Sequence, residues 1–184
     1  ILADKISRQV LIDKAGSIME QLAGHTDRLV ISFLDPNLYN TRKKLKAAGF
    51  EAKVFSEDEK AYVAWHIAEM AEEHGMQVAA CAELISLSGC GIDENKCIDD
   101  GLIRQVSVQD TKLMAFLDSI EGLEHEGQRE HCHCSPAYEI GIENTCRNGC
   151  VYCYANASEK AIENQLRRIS ADSASLTSAG RLGR

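Results

Sequence analysis

Two apolar segments, LVISFL at residues 29–34 and MQVAACA at residues 76–82, decide the fold of this 184-residue chain. The first is a nearly continuous apolar run, which is typical of a strand buried on both faces in a parallel sheet. A helical pattern lies between the two segments, beginning at the capping-box sequence Ser56-Glu57-Asp58-Glu59 and ending before Gly75. A strand, a helix and a second strand in this order predict a βαβ unit with a right-handed crossover.

Further helical patterns flank this unit. Apolar residues recur at helical spacing from Ser7, a candidate N-cap, to Ala23, and a basic segment over 39–48 predicts a second helix that ends at Gly49. In the long helix that follows Ser56, we expect Trp65 to belong to the core. Because two parallel strands do not form a stable sheet alone, we expect either more strands upstream of Ile1 or the loss of part of the fold.

The composition restricts the classes of function. The net charge is −8, from 20 basic and 28 acidic residues, and this balance disfavours a nucleic-acid partner. We find no signal peptide or long apolar span, so we expect a soluble, cytoplasmic protein without a membrane partner. In such a compartment the eight cysteines point to metal or redox use rather than to disulfides.

The cysteine motif with the clearest chemistry is Cys146-Arg147-Asn148-Gly149-Cys150-Val151-Tyr152-Cys153, which has the spacing C-x3-C-x2-C. Thiolates are the usual ligands of iron–sulfur clusters, and Gly149 permits the turn that a short ligand loop needs. Three ligands on a [4Fe–4S] cluster leave one iron open for chemistry. The alternative is a structural zinc site, which needs a fourth ligand such as His131 or His133.

The same segment resembles known proteins. The sequence CRNGCVYCYAN at residues 146–156 resembles the signature of radical S-adenosylmethionine (SAM) enzymes, and its CYA ending is similar to spore photoproduct lyase-like proteins. The similarity is closer to an uncharacterised bacterial family, domain-of-unknown-function family 1848. It extends over most of the chain, through VISFLD at 30–35, CAE at 81–83, KCIDD at 96–100 and CHCSPAYEIG at 132–141.

This resemblance implies a function and a fold. Cys146, Cys150 and Cys153 would hold a [4Fe–4S] cluster that binds SAM, and reductive cleavage of SAM would give a 5′-deoxyadenosyl radical for hydrogen abstraction from an unknown substrate. Tyr152 takes the position beside the SAM adenine, and the electron donor would be a protein such as ferredoxin or flavodoxin. The resemblance also implies an α/β fold in which the chain is the C-terminal part of a (β/α) barrel-like parallel-sheet domain.

Four other cysteines fall in the motifs that match the family: Cys81, Cys97, Cys132 and Cys134. Cys81 ends a predicted strand, at the edge where parallel sheets place their sites. Convergence of the four thiols there would give a second, closed iron–sulfur cluster or a zinc site. Ordinary buried cysteines are the third interpretation.

The chain thus divides into a partial α/β domain at 1–130, a cysteine-rich iron–sulfur segment with a C-terminal helix at 131–168, and a disordered tail at 169–184. A radical SAM enzyme is the first functional hypothesis. The others are a zinc-stapled structural or binding module without catalysis, and an iron–sulfur electron carrier. The absence of a fourth cysteine in the C-x3-C-x2-C motif argues against the carrier.

Overall fold

The computed structural model describes residues 6–123, 128–138, 140–170 and 172. Most of the tail predicted over 169–184 lies outside these residues. The described parts contain helices and strands in the following chain order: α1 (Arg8–Leu22), β1 (Arg28–Ile31), α2 (Thr41–Ala47), α3 (Glu57–Glu73), β2 (Gln77–Ala80), β3 (Asp93–Glu94), α4 (Asp100–Val106), α5 (Thr111–Ile120) and α6 (Glu159–Leu166).

The chain forms two compact units. The first, here called the sheet unit, comprises Asp4–Leu34 and Val54–Tyr138. The second, here called the triad unit, contains Asp35–Lys53 and Glu139–Arg184, together with Ile1–Ala3. In the parts of the chain that the structure describes, no helix is both long and apolar enough to span a membrane.

The sheet unit is built on three parallel strands in the order β1-β2-β3. Ile31 pairs with Ala80 at the carboxyl end of β1, and Ala80 pairs in turn with Glu94 of β3. The predicted α/β class with parallel strands and intervening helices is therefore confirmed. Strand β3 was not predicted, because its two residues are acidic and exposed and so carry no apolar signal.

The exposure of β1 differs from the prediction. A strand buried on both faces was expected, but the side chains alternate between exposed and half-buried, and Val30 is 45% exposed. In the described sheet β1 is an edge strand whose hydrogen-bonded neighbour is β2. The central strand β2 is the one with consecutive buried residues, from Val78 to Ala80.

Helices α1 and α3 pack together and enclose the core of the sheet unit. The Ser7 hydroxyl accepts a hydrogen bond from the Val10 N–H at the start of α1, as its sequence predicted. The core is apolar and includes Ile12, Met19, Val63, Ala64, Ile67, Ala71, Met76, Val78, Ala80, Leu87 and Ile92.

The start of α3 agrees with the predicted capping box. The Ser56 hydroxyl accepts from the Glu59 N–H at 3.2 Å, and the Glu59 carboxylate accepts from the Ser56 N–H at 3.1 Å. The assignment of Trp65 to the core is wrong, because its side chain is 45% exposed. At 100° per residue, Trp65 lies on the face of α3 opposite to the buried Val63 and Ile67.

The triad unit contains α2 and α6, both of which the sequence predicted with slightly longer bounds. Two consecutive residues before α2, Tyr39 and Asn40, have φ angles of 54° and 58°. Left-handed backbone is uncommon for residues other than glycine, although asparagine tolerates it better than most. Helix α2 then buries Thr41 and Leu45.

Candidate metal centres

The C-x3-C-x2-C motif forms an irregular loop in the triad unit, without helix or strand between Cys146 and Cys153. Cys146 and Cys150 are exposed and Cys153 is half-buried. Gly149 has a φ of +65°, which is a left-handed backbone conformation. Glycine adopts this conformation readily, so the turn that the sequence predicted at Gly149 is present. Two of the three thiols are thus open to an incoming ligand.

Two asparagines tie the ends of this loop together. The Asn156 amide donates to the Cys146 carbonyl at 2.8 Å, and the Asn144 amide oxygen accepts from the Ala157 N–H at 2.7 Å. The Asn144 N–H also donates to the Ala155 carbonyl at 2.9 Å. These bonds fix the backbone on which the three cysteines stand, which a preformed ligand loop requires.

Residues far away in the sequence support the same loop. The Lys44 ammonium group, on α2, donates a hydrogen bond to the Cys153 carbonyl oxygen. The Tyr39 ring lies 5.0 Å from the Tyr154 ring, centroid to centroid, with the two planes inclined by 30°. The sequence did not predict either contact, because a lysine in a basic helix is usually a solvated surface residue.

A cavity of about 830 Å³ borders the loop within the triad unit. Its wall includes Cys150, Cys153 and the charged residues Lys44 and Arg147, with α6 on the other side. The Asn156 side-chain oxygen, also in this wall, is buried and has no hydrogen-bond partner among the residues that the structure describes. A buried acceptor without a partner is costly and commonly marks a place for water or a ligand.

The loop supplies the three thiols that the family resemblance implies as cluster ligands, and all three are free cysteines. In the described structure they do not yet form a group arranged to hold a metal ion. Tyr152 is half-buried, and the cavity wall contains its neighbour Val151. The role predicted for Tyr152 at an adenine ring stays a prediction.

The other four predicted cysteines come together in the sheet unit. Cys81 follows β2 directly and Cys97 follows β3 by three residues, so both lie at the carboxyl edge of the sheet. Their Sγ atoms are 3.6 Å apart. The Cys134 Sγ accepts hydrogen bonds from the N–H of Cys97 at 3.1 Å and from the N–H of Ile98 at 3.4 Å. We call Cys81, Cys97, Cys132 and Cys134 the edge cysteines.

The thiols of the edge cysteines influence each other's ionisation. Burial raises the pKa of Cys81 to about 11, with further contributions from Cys97 and then Cys134. For Cys132, a hydrogen bond from the Cys134 backbone lowers the pKa, but burial and the thiols of Cys134 and Cys97 outweigh it, so the pKa is raised. Neighbouring cysteines therefore contribute to the pKa shifts of Cys81 and Cys132.

Cys134 differs from Cys81 and Cys132, because its pKa is lowered. Burial alone would raise the pKa, but the N–H of Ile98, the Cys132 thiol, and the N–H and thiol of Cys97 together favour the thiolate.

Neighbouring polar groups hold the edge cysteines in place. The Asn95 amide donates to the Cys97 Sγ at 3.3 Å, while the buried Asn95 backbone N–H donates to the Ala80 carbonyl at 2.8 Å. The Arg129 guanidinium bonds the Ala82 carbonyl at 3.2 Å. The Ser135 N–H bonds the Ile98 carbonyl at 3.0 Å. No motif or spacing in the sequence predicted this contact of Asn95.

The two histidines considered as further ligands bind carboxylates in the sheet unit. The His133 Nε2 lies 2.8 Å from a Glu94 carboxylate oxygen, and the His131 Nε2 lies 3.8 Å from one of Glu130. Neither histidine belongs to the triad unit. Across the described residues, no group of three or more His, Cys, Asp and Glu side chains stands ready to hold a metal ion.

The acidic residues that follow Cys81 and Cys97 have structural partners. Glu83 is 6% exposed in its side chain, and one carboxylate oxygen accepts from the Phe33 N–H at 2.6 Å and from the Ser32 hydroxyl at 3.0 Å. Its other oxygen lies 3.5 Å from the Lys60 ammonium. Asp99 caps α4 by accepting from the Leu102 N–H at 3.1 Å.

Cys90 stands outside both cysteine groups. Its Sγ lies 3.6 Å from the Ala61 carbonyl oxygen and packs against the core of the sheet unit. Cys90 therefore offers an internal control for any experiment on the other cysteines.

These features define a mixed α/β protein with two groups of cysteines, one in each unit. The family model of Domain of unknown function (DUF1848) matches residues 1–155, and the chain belongs to this family. All eight cysteines lie within the matched range. The comparisons with curated proteins and with solved structures gave no match.

Proposed function

We propose that the triad unit binds a [4Fe–4S] cluster through Cys146, Cys150 and Cys153, and that the protein is a radical SAM enzyme. The observation that carries this proposal is the C-x3-C-x2-C loop, tied at both ends by Asn144 and Asn156 and bordered by a cavity with charged residues in its wall. Three cysteine ligands leave one iron of such a cluster for SAM.

When bound, the cluster and SAM supply a 5′-deoxyadenosyl radical that removes hydrogen from a substrate. The chain's own residues bind and orient these groups. Lys44 holds the loop at Cys153 by donating a hydrogen bond to its carbonyl oxygen. Asn156 holds the loop at Cys146 by donating a hydrogen bond to that carbonyl oxygen. The unpartnered Asn156 side-chain oxygen gives the cavity an acceptor for an N–H or O–H of a bound ligand.

The charge of the cavity wall supports a zwitterionic ligand such as SAM. Lys44 and Arg147 supply positive charge, and Glu159 and Glu163 on α6 supply negative charge. SAM carries a carboxylate, an amine and a sulfonium, so both signs find a partner. The volume of about 830 Å³ lies within the range of small-molecule sites.

The proposal extends to the fold and to the partners. The three parallel strands and their helices support membership of a (β/α) barrel-like domain. A ferredoxin or flavodoxin would deliver the electron, and a cytoplasmic location would keep the eight free thiols reduced. The substrate class stays open.

The test is SAM cleavage by the whole protein after anaerobic reconstitution with iron and sulfide. With a strong reductant we expect 5′-deoxyadenosine from the unmodified protein and from Cys90→Ala, and none from Cys150→Ala. Zinc without iron in the protein would favour the binding module instead. An iron–sulfur cluster that transfers electrons but leaves SAM intact would favour the electron carrier.

A further inference from the structure

We propose that the four edge cysteines bind one tetrahedral metal ion, zinc, at the carboxyl edge of the sheet. This site is independent of the triad cluster, since its ligands all belong to the sheet unit. For these cysteines the sequence left open a second iron–sulfur cluster or a zinc site, and we infer the zinc site.

The separation of Cys81 and Cys97 fits a single ion. Two thiolates bound at about 2.3 Å to one tetrahedral zinc ion lie about 3.8 Å apart. The observed distance between their Sγ atoms is 3.6 Å. On a [4Fe–4S] cluster each cysteine binds a different iron, so the sulfurs stand farther apart than two ligands of one ion.

The remaining two edge cysteines, Cys132 and Cys134, belong to a segment that contacts Cys97. The Cys134 Sγ is 3.1 Å from the N–H nitrogen of Cys97, whose own Sγ contacts that of Cys81. Cys132 lies two residues before Cys134 in the same segment. Four cysteines in tetrahedral array are a usual structural zinc site.

The donors around the sulfurs suit thiolates. Two backbone N–H groups point to the Cys134 Sγ, and the Asn95 amide donates to the Cys97 Sγ. Four thiolates around one divalent ion carry a net charge of −2, which such hydrogen bonds offset. The Arg129 guanidinium adds positive charge beside Cys81.

The site would join three segments that are distant in the sequence. Cys81 is fixed by the sheet, since its N–H donates to the Ile31 carbonyl at 2.9 Å. Cys132 and Cys134 lie on residues 128–138, which form no helix or strand. Because the described side chains do not yet stand in finished metal geometry, binding would close the four thiols on the ion and stabilise this segment.

The test removes the triad and counts the metal that remains. The triple variant Cys146→Ser, Cys150→Ser, Cys153→Ser of the whole protein is purified anaerobically, and its zinc, iron and acid-labile sulfide are measured per chain. We expect about one zinc ion per chain and no sulfide, whether or not the triad itself holds a cluster. About four irons with sulfide would overturn the proposal, and so would one iron without sulfide or no metal at all.

A second measurement covers the case in which the triple variant does not fold. In the otherwise unmodified protein, Cys134→Ser should lose the zinc and keep the iron of the triad, whereas Cys90→Ser should keep both. Replacement of zinc by Co²⁺ in the folded Cys90→Ser protein should give the intense visible absorption of a tetrahedral thiolate complex. Weak octahedral absorption, or zinc retained in Cys134→Ser, would contradict the four-cysteine site.

Discussion

The Sγ atoms of Cys81 and Cys97 lie 3.6 Å apart, although the two residues are separated by 16 positions in the sequence. The parallel strands β2 and β3 explain this proximity, because adjacent parallel strands end at the same edge of the sheet. The register brings Ala80, one residue before Cys81, opposite Glu94, three residues before Cys97. The short acidic strand β3 therefore brings Cys97 to the edge of the sheet at which Cys81 lies.

Metal removal should destabilise the sheet unit. A chelator should lower the midpoint of thermal unfolding, because an ion that binds the folded state alone stabilises it by about 4 kcal/mol at a thousandfold excess over its Kd. Differential scanning calorimetry with and without chelator measures the shift. In Cys134→Ser the chelator should have little effect, and an equal shift in that variant would count against the edge cysteines as ligands.

The metal-free protein should lose stability in alkali. Because the pKa of Cys81 rises from 9.0 to about 11 on folding, the unfolded chain loses this proton first as the pH increases. The free energy of unfolding should therefore fall between these two pH values. Urea unfolding across this range measures the fall, which Cys81→Ser should reduce and Cys90→Ser should not. A fall of the same size in Cys81→Ser would show that another group causes it.

Glu83 should matter for stability. Truncation in Glu83→Ala leaves the Phe33 N–H and the Lys60 ammonium without their acceptor, so we expect a loss of about 1–3 kcal/mol. Glu83→Gln keeps one acceptor oxygen and should lose less. Urea unfolding compares these variants with Glu69→Ala, an exposed site on α3 that should change little. Equal losses for the Ala and Gln variants would assign the effect to the charge alone.

Lys44 should stabilise the triad loop. In Lys44→Met the Cys153 carbonyl loses its ammonium donor, and a charge-assisted bond of this kind contributes about 1.5–3 kcal/mol. We expect a cluster that assembles in lower yield and decays faster in air, as followed by visible absorption. The neighbouring, exposed Lys43→Met is the matched control. The same decay rate in both variants would show that Lys44 does not stabilise the loop.

Replacing Gly149 by a residue with a side chain should lower the stability of the protein through backbone strain and not through a steric clash. Its φ is +65°, and an added Cβ would meet no atom within 4 Å. Gly149→Ala should therefore cost about 1 kcal/mol, and Gly149→Asn less, because asparagine tolerates left-handed backbone. Thermal unfolding of the metal-free protein checks this, with Gly89→Ala as a control that has free space and no positive φ. A larger loss in Gly89→Ala would contradict the backbone explanation.

The sequence predicted the regular parts of the fold because local patterns determine them. The capping box at Ser56 and the cap at Ser7 need only neighbouring residues, and both are present. The strand β3 could not be predicted, since its pairing with β2 rather than its own residues makes it a strand. The prediction for Trp65 is wrong because a large apolar side chain can lie on the exposed face of a helix, and Trp65 lies opposite to the buried face of α3.

The sequence singled out both groups of cysteines but not the residues around them. The spacing C-x3-C-x2-C indicated Cys146, Cys150 and Cys153, and the motifs that match the family indicated the edge cysteines. Their roles as metal ligands stay predictions. Lys44 reaches Cys153 across 109 positions, and Asn95 reaches Cys97 through a side chain with no distinguishing pattern. Contacts of this kind depend on tertiary structure, which a single sequence does not encode in any local signal.

The metal content of the anaerobically reconstituted protein tests the cluster assignment most directly, measured beside its Cys146→Ala, Cys150→Ala, Cys153→Ala variant. The unmodified protein should contain about four irons and four sulfides per chain, and in the reduced state it should give an electron paramagnetic resonance spectrum that changes when SAM is added. The triple variant should contain neither iron nor sulfide. A full iron and sulfide content in the triple variant would contradict the assignment of the cluster to Cys146, Cys150 and Cys153.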